Sequence, residues 1–389
     1  MTKIKPTIKD IASAAGVSTQ TISRVFNNKP GVDPKTRQKI QKIIADLNYS
    51  PSEAARSLVR QRSRRTSFLP GKIWNDEDGI PIQAHGGCVL YDNGTYYWFG
   101  ENKDTPTKKN SLVGFNVDAV GISCYSSTDL YNWKNLGLVL PAVKEDATHE
   151  LHTSRIVERP KVIYNNLTGQ YVMFLHLDTQ DYQTARVGLA VCDQPAGRYE
   201  FLGSFAPNQA DSRDMTVFKD DDAKAYLFHS SEWNATLYAA ELAADYRHTT
   251  GAFTRNFISA YREAPVVFKR KGRYYCLTSG CTGWDPNTAE YAIAENILGP
   301  WKVMGNPCFG PNADKTFFAQ GAFVFQVAGY KDAYIAMFDL WKKETLGASR
   351  YIWLPIRFDG ERMVIEWLDE WDLSIFMTAA KHANKEEKP

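Results

Sequence analysis

Between Thr7 and Leu47 the apolar residues recur at helical spacing: Ile8, Ile11, Ala12 and Ala15, then Val17, Ile22, Val25 and Phe26, then Ile40, Ile43, Ile44 and Leu47. The period predicts three short helices. Ala15-Gly16-Val17-Ser18 breaks the first from the second and leaves Ser18 as a cap, while Asp33 before Pro34 caps the third. Helix, glycine turn, helix is an arrangement whose second helix can enter a DNA major groove. Its exposed face carries Thr19, Gln20 and Arg24, side chains able to hydrogen-bond base edges.

After residue 70 the helical period gives way to short apolar strands. Five segments share one pattern of strand, turn and aromatic or apolar strand, starting at Val89, Val162, Val217, Val267 and Val324. Each is followed by a second strand pair. A hairpin plus a hairpin, five times over, predicts four-stranded blades in a five-bladed β-propeller, so the fold class is mainly β with a small all-α helix-turn-helix domain at the N-terminus. In a propeller the innermost strand of each blade begins near the axis. Counting back five positions from Leu90, Ile163, Phe268 and Phe325, and four from Phe218, reaches His85, Glu158, Glu263, Gln320 and Asp214. Three carboxylic acids converging on one channel end split their pKa values, as acid catalysis requires, and with nearby aromatics they suit glycoside hydrolysis.

Charge divides the chain at the same place. Residues 1–66 hold 14 Lys/Arg against 4 Asp/Glu, and the remainder holds 32 against 40, so a basic head suited to a polyanion precedes an acidic body. Aromatics at 13%, with 10 Trp and 20 Tyr, fit a β-rich, sugar-stacking body. The six Cys (88, 124, 192, 276, 281 and 308) lack CxxC spacing or clustered His and read as buried thiols, with no metal site and no cofactor expected. No apolar run is long enough to span a membrane, and MTKIKPTIKD lacks the apolar core of a secretory signal, so the expected location is the cytoplasm.

TIKDIASAAGVSTQTISRVFNN followed by NYSPSEAARSLV resembles the DNA-binding headpiece and hinge of the LacI family over residues 6–62. The resemblance implies that Leu58 is an apolar wedge inserted in the minor groove. It also implies two sugar-binding lobes after Thr66, and their alternating strand and helix pattern is missing. The strings IQAHGGCVLYDNGTYYWFGEN, ERPKVIYN, SRDMTVFKDDDAKAYL and REAPVVFKRKGRYYCLTSGCTGWDPN instead resemble glycoside hydrolase family 43, closest to its exo-β-1,3-galactanase branch, over about residues 73–376. By that resemblance Glu263 is the general acid and Asp214 the acid that orients it and tunes its pKa. His85 stands where the family's usual Asp base would be. The branch shares this departure and implies that Gln320 holds the water, with Glu158 close by, while Glu101, Tyr182, Asn234, Thr282, Trp284 and His85 contact sugar.

The expected organisation is a LacI-type domain over 1–62, a linker over 63–72, the glycosidase propeller over 73–376 and a disordered tail over 377–389. The expected function is an inverting, exo-acting glycosidase on β-1,3-galactan or related plant side chains, joined to a head that binds double-stranded DNA and can pair as a homodimer across half-sites. An alternative is a sugar-responsive transcription regulator whose propeller is a saccharide sensor. A third reading takes the join as accidental.

Overall fold

The computed structural model describes residues 6–26, 32–47, 64–110 and 114–377. They form two compact units: the residues through Arg65 with 75–82 and 131–134, and then 66–74, 83–130 and 135 onward. Leu58 and the hinge motif, like the tail from residue 378, lie outside the described residues.

The first unit contains α1 (Ile8–Ala15), α2 (Thr19–Phe26) and α3 (Pro34–Asp46). A capping box starts α1, with the Thr7 amide donating to Asp10 Oδ2 at 2.7 Å and Asp10 N to Thr7 Oγ1 at 3.4 Å. Gly16 ends it at φ 69°, a left-handed position glycine takes without strain. The two caps read from the sequence are formed: Thr21 N donates to Ser18 Oγ at 3.1 Å and Thr36 N to Asp33 Oδ1 at 3.0 Å. Ile11, Ala12, Ala15, Ile22, Val25 and Ile40 bury together as a small core. Leu47 falls just past α3 and is 42% exposed, so it sits outside that core. On α2, Thr19 and Arg24 are exposed.

The second unit is a five-bladed β-propeller. Its inner strands are His85–Asp92, Ile156–Asn165, Met215–Lys219, Arg262–Arg270 and Gln320–Gln326, and each begins an antiparallel sheet. Neighbouring inner strands touch in sequence, and the fifth touches the first, so the ring closes. Four blades have four strands. The fifth gains Cys308–Phe309, which pairs parallel with Arg362–Glu366. Apolar layers fill the spaces between blades, for example Met173, Leu175 and Phe99 between the first two. Where last blade meets first, Phe68 exchanges backbone hydrogen bonds with Trp371 at 2.7 and 3.2 Å and stacks on its ring. Fully buried Trp98 and Trp353 lie in the same cluster, which ties both ends of the propeller segment to one core.

The six cysteines are free thiols; Cys88, Cys124, Cys276 and Cys308 are buried, whereas Cys192 and Cys281 are only half-buried. No helix among the described residues is long and apolar enough to cross a membrane.

Candidate active site

Four of the five inner strands carry a β-bulge at one equivalent place. The register slips by one residue between His85 and Cys88, Glu158 and Lys161, Glu263 and Val266, and Gly321 and Phe323. The third blade runs without a slip. This accounts for the spacing in the sequence: the bulge adds one residue, so the polar position lies five back in four blades and four back in the third. A bulge re-aims the side chain beside it and disrupts the regular pairing there. The residues after His85, Glu158 and Glu263 sit at positive φ: Gly86 at 57°, Arg159 at 53° and Ala264 at 50°. For Arg159 and Ala264 this costs about 1–2 kcal/mol each, a strain that persists only where the surroundings enforce it. At Gly86 a Cβ would run into the Glu101 carboxylate.

The channel end opens into a cavity of about 660 Å³ lined by Glu101, Glu158, Asp214, Glu263 and Gln320 together with Lys103, Arg159 and several aromatics. Arg159 organises it. Its Nε and Nη2 bind the two oxygens of Asp214 at 3.1 and 2.8 Å, Nη1 donates to Gly321 O at 2.9 Å, and Nη2 also donates to Gln320 Oε1 at 2.6 Å. Asp214 Oδ2 in turn accepts from Ala264 N at 3.0 Å, which fixes the backbone beside Glu263.

Two carboxyl groups are driven apart. Burial, reinforced by the Asp214 charge, pushes Glu263 up to about 8. Burial also opposes charge on Glu158, but the His176 imidazole, Lys103 and Arg159 outweigh it and hold this carboxylate at about 2. His176 Nδ1 lies 3.6 Å and Lys103 Nζ 3.7 Å from Glu158. His176 is itself carried up to about 9, against its own burial, by Asp178 and Glu158. At neutral pH one acid is protonated and the other ionised, which is the division of roles that acid and base catalysis needs.

Gln320 has no free hydrogen-bonding capacity. Arg159 and the Trp341 indole N–H, at 3.2 Å, can only donate, so Oε1 must face them. Nε2 then donates to Glu263 Oε1 at 2.9 Å and Ser279 Oγ at 3.1 Å.

Of the sugar-contact residues read from the sequence, Glu101, Tyr182, Asn234 and Trp284 line the cavity. The Tyr182 hydroxyl lies 3.4 Å from both oxygens of Glu158, and Asn234 Nδ2 lies 3.4 Å from Glu263 Oε2. His85 is not brought into the lining. It is 0% exposed, with Nδ1 3.1 Å from Asp339 and its ring stacked on Tyr351, so it ties the first inner strand to the fifth blade. Thr282 is exposed and outside the lining too, its hydroxyl engaged with Asp285 O and Asn287. Sequence reasoning missed Lys103, Arg159, His176, Trp233 and Trp341. Only Arg159, next to a flagged acid at a bulge, carried a signal that could have found it.

Residues 80–336 match the family model of the glycosyl hydrolases family 43, and residues 7–52 match the model of the bacterial regulatory proteins, lacI family. The ribose operon repressor of Bacillus subtilis (strain 168) is 46% identical over 261 residues, which cover 65% of this chain and 74% of the repressor. Among solved structures, a family 43 β-1,3-galactosidase is 40% identical with a TM-score of 0.75, over 81% of this chain and 65% of its own. An exo-β-1,3-galactanase from Phanerochaete chrysosporium, bound to β-1,3-galactotriose, is 35% identical with a TM-score of 0.71, over 79% and 68%. This chain thus spans about two thirds of the length of each of these two enzymes. With the propeller, the paired acids and the family model in agreement, the chain belongs to glycoside hydrolase family 43 and carries a lacI-family head at its N-terminus.

Proposed function

We propose that the propeller removes terminal β-1,3-linked galactose from galactan-type chains with inversion at the anomeric carbon. The observation that carries this reading is the protonated Glu263 and the ionised Glu158 facing one cavity. Glu263 protonates the leaving oxygen, Asp214 orients Glu263 and raises its pKa, Gln320 positions the water and Glu158 takes its proton. For this Gln320 must release a partner, and the 3.1 Å bond from Nε2 to Ser279 Oγ can open without disturbing Arg159 or Glu263. Glu101, Tyr182, Asn234 and Trp284 hold the sugar; Thr282 and His85 act from outside the lining, His85 as a brace.

Proton NMR of β-1,3-galactobiose hydrolysis in its first minutes reads the product anomer, and α-galactose is expected. Gln320→Ala should lose most of the activity. Gln320→Glu places a second carboxylate oxygen against Glu263, which raises the pKa of that acid and moves the alkaline limb of the pH profile upward. Retained β-galactose, or a fully active Gln320→Ala, rejects the assignment.

The head, over residues 1–62, binds double-stranded DNA in the cytoplasm, with pairs of heads on half-sites as a homodimer; the linker expected over 63–72 ends before Phe68, which is buried in the propeller core against Trp371, so the propeller starts earlier than residue 73. Thr19, Gln20 and Arg24 read bases and Leu58 wedges the minor groove. Each phosphate contact contributes roughly −0.9 to the slope of log affinity on log salt, so several contacts weaken binding by orders of magnitude between 50 and 200 mM salt. A fluorescence-anisotropy titration with the full chain that shows a flat salt response overturns this. The saccharide-sensor alternative draws on the saturated Gln320 amide, since a site that binds sugar without freeing Gln320 turns over slowly. Tight galactobiose binding with no product after prolonged incubation would favour it.

A further inference from the structure

Two aromatic side chains at the cavity wall have no part in the chemistry above. Trp233 is 60% exposed and Phe318 44% exposed, and both line the cavity. Each sits in three consecutive left-handed residues. Glu232, Trp233 and Asn234 have φ of 53, 57 and 63°, and Thr316, Phe317 and Phe318 have 50, 57 and 62°. Three non-glycine residues in succession at positive φ are strained, and strain of this kind collects where a loop must present a side chain.

Both loops are built to hold that shape. Asp211 accepts from Ser231 Oγ, Glu232 N and Trp233 N at 2.7, 2.7 and 3.1 Å and pairs with Arg213. The Arg213 guanidinium lies 4.1 Å from the centre of the Trp233 ring, covering one side of it. Thr316 is buried, accepts from Ala289 N at 2.7 Å and donates to Asn287 O at 2.8 Å. Two exposed apolar rings are thus held in place at a rim where solvent alone would disfavour them.

Their place in the ring names the occupant. Trp233 belongs to the third blade and Phe318 to the loop entering the fifth, and the fourth inner strand between them carries Glu263. Asn234, next to Trp233, contacts Glu263 Oε2. The general acid faces the leaving-group oxygen, so the sugar that departs must lie on this side. We propose that Trp233 and Phe318 form the leaving-group subsite, taking the apolar face of the departing galactose ring and favouring oligosaccharide over small-aglycone substrates.

This rests on the glycosidase reading, and β-galactosyl fluoride separates the two because it has no departing sugar. Trp233→Ala should lower kcat/KM on β-1,3-galactobiose roughly 10-fold while fluoride turnover stays within about twofold, with Trp233→Tyr recovering most of the loss. Phe318→Ala should show the same selectivity more weakly. Equal losses on both substrates, or no loss on either, overturn the subsite. If the wild type hydrolyses neither substrate, the glycosidase reading fails and calorimetry with β-1,3-galactotriose decides. Weaker binding by Trp233→Ala than by wild type then keeps the subsite, and equal affinity rejects it.

Discussion

Glu263→Gln is expected to slow β-1,3-galactobiose hydrolysis roughly 10²–10⁴-fold, the usual worth of a general acid. An aryl galactoside with a good leaving group should lose far less, because its oxygen departs with little need of a proton. The pH profile gives an independent check. Glu263 works only when protonated, and burial together with the Asp214 charge carries it to about 8, so kcat/KM on galactobiose should fall as pH rises through about 8. Glu158 works ionised and is held at about 2, so the plateau should extend well into the acid range. In Glu263→Gln the alkaline limb should vanish with the group that causes it. Equal losses for good and poor leaving groups, or an unchanged alkaline limb, would assign the proton to another residue.

The parts of this molecule set by local or repeating pattern are legible in the sequence. Helical spacing placed the three helices and both caps of the head, because caps and apolar stripes are local. The blade repeat placed the five inner strands, since strand, turn and strand recur in sequence whatever they pack against. Even the irregular offset, five positions in four blades and four in the third, proves to be a structural signal, the β-bulge written as one extra residue. The offset alone misplaces His85. That residue occupies the same position as Glu158 and Glu263, yet it is buried against Asp339 and Tyr351, partners more than 250 residues away that nothing local announces. The cations were hidden for a similar reason. Lys103 reaches the site from the loop just after the first blade's second strand and His176 from the second strand of the second blade, where a charged residue looks the same as a solvated edge until the ring has closed.

Arg159 is where fold and chemistry depend on one side chain, and Arg159→Met should damage both. The guanidinium holds Asp214 by two bonds, Gln320 by one and the Gly321 carbonyl by one, so its removal leaves a largely buried carboxylate without its counter-charge. Breaking such a pair from one side costs about 3–5 kcal/mol, which a denaturant titration resolves easily. Part of that loss should be offset by relief of the left-handed backbone only if the substituted residue leaves positive φ, and the hydrogen bond that the backbone N–H of residue 159 donates to Glu101 Oε1 at 3.0 Å resists this. Arg159→Lys separates the two consequences. Lysine keeps the charge near Asp214 but cannot grip both oxygens and Gln320 in one plane, because its ammonium is a point charge rather than a fork. Stability should therefore recover substantially while turnover stays at least roughly 10²-fold down, in line with the loss that small misplacements of catalytic groups produce. An Arg159→Lys enzyme with wild-type kcat would show that Asp214 and Gln320 need only a nearby positive charge, and the geometric role assigned to Arg159 would fall.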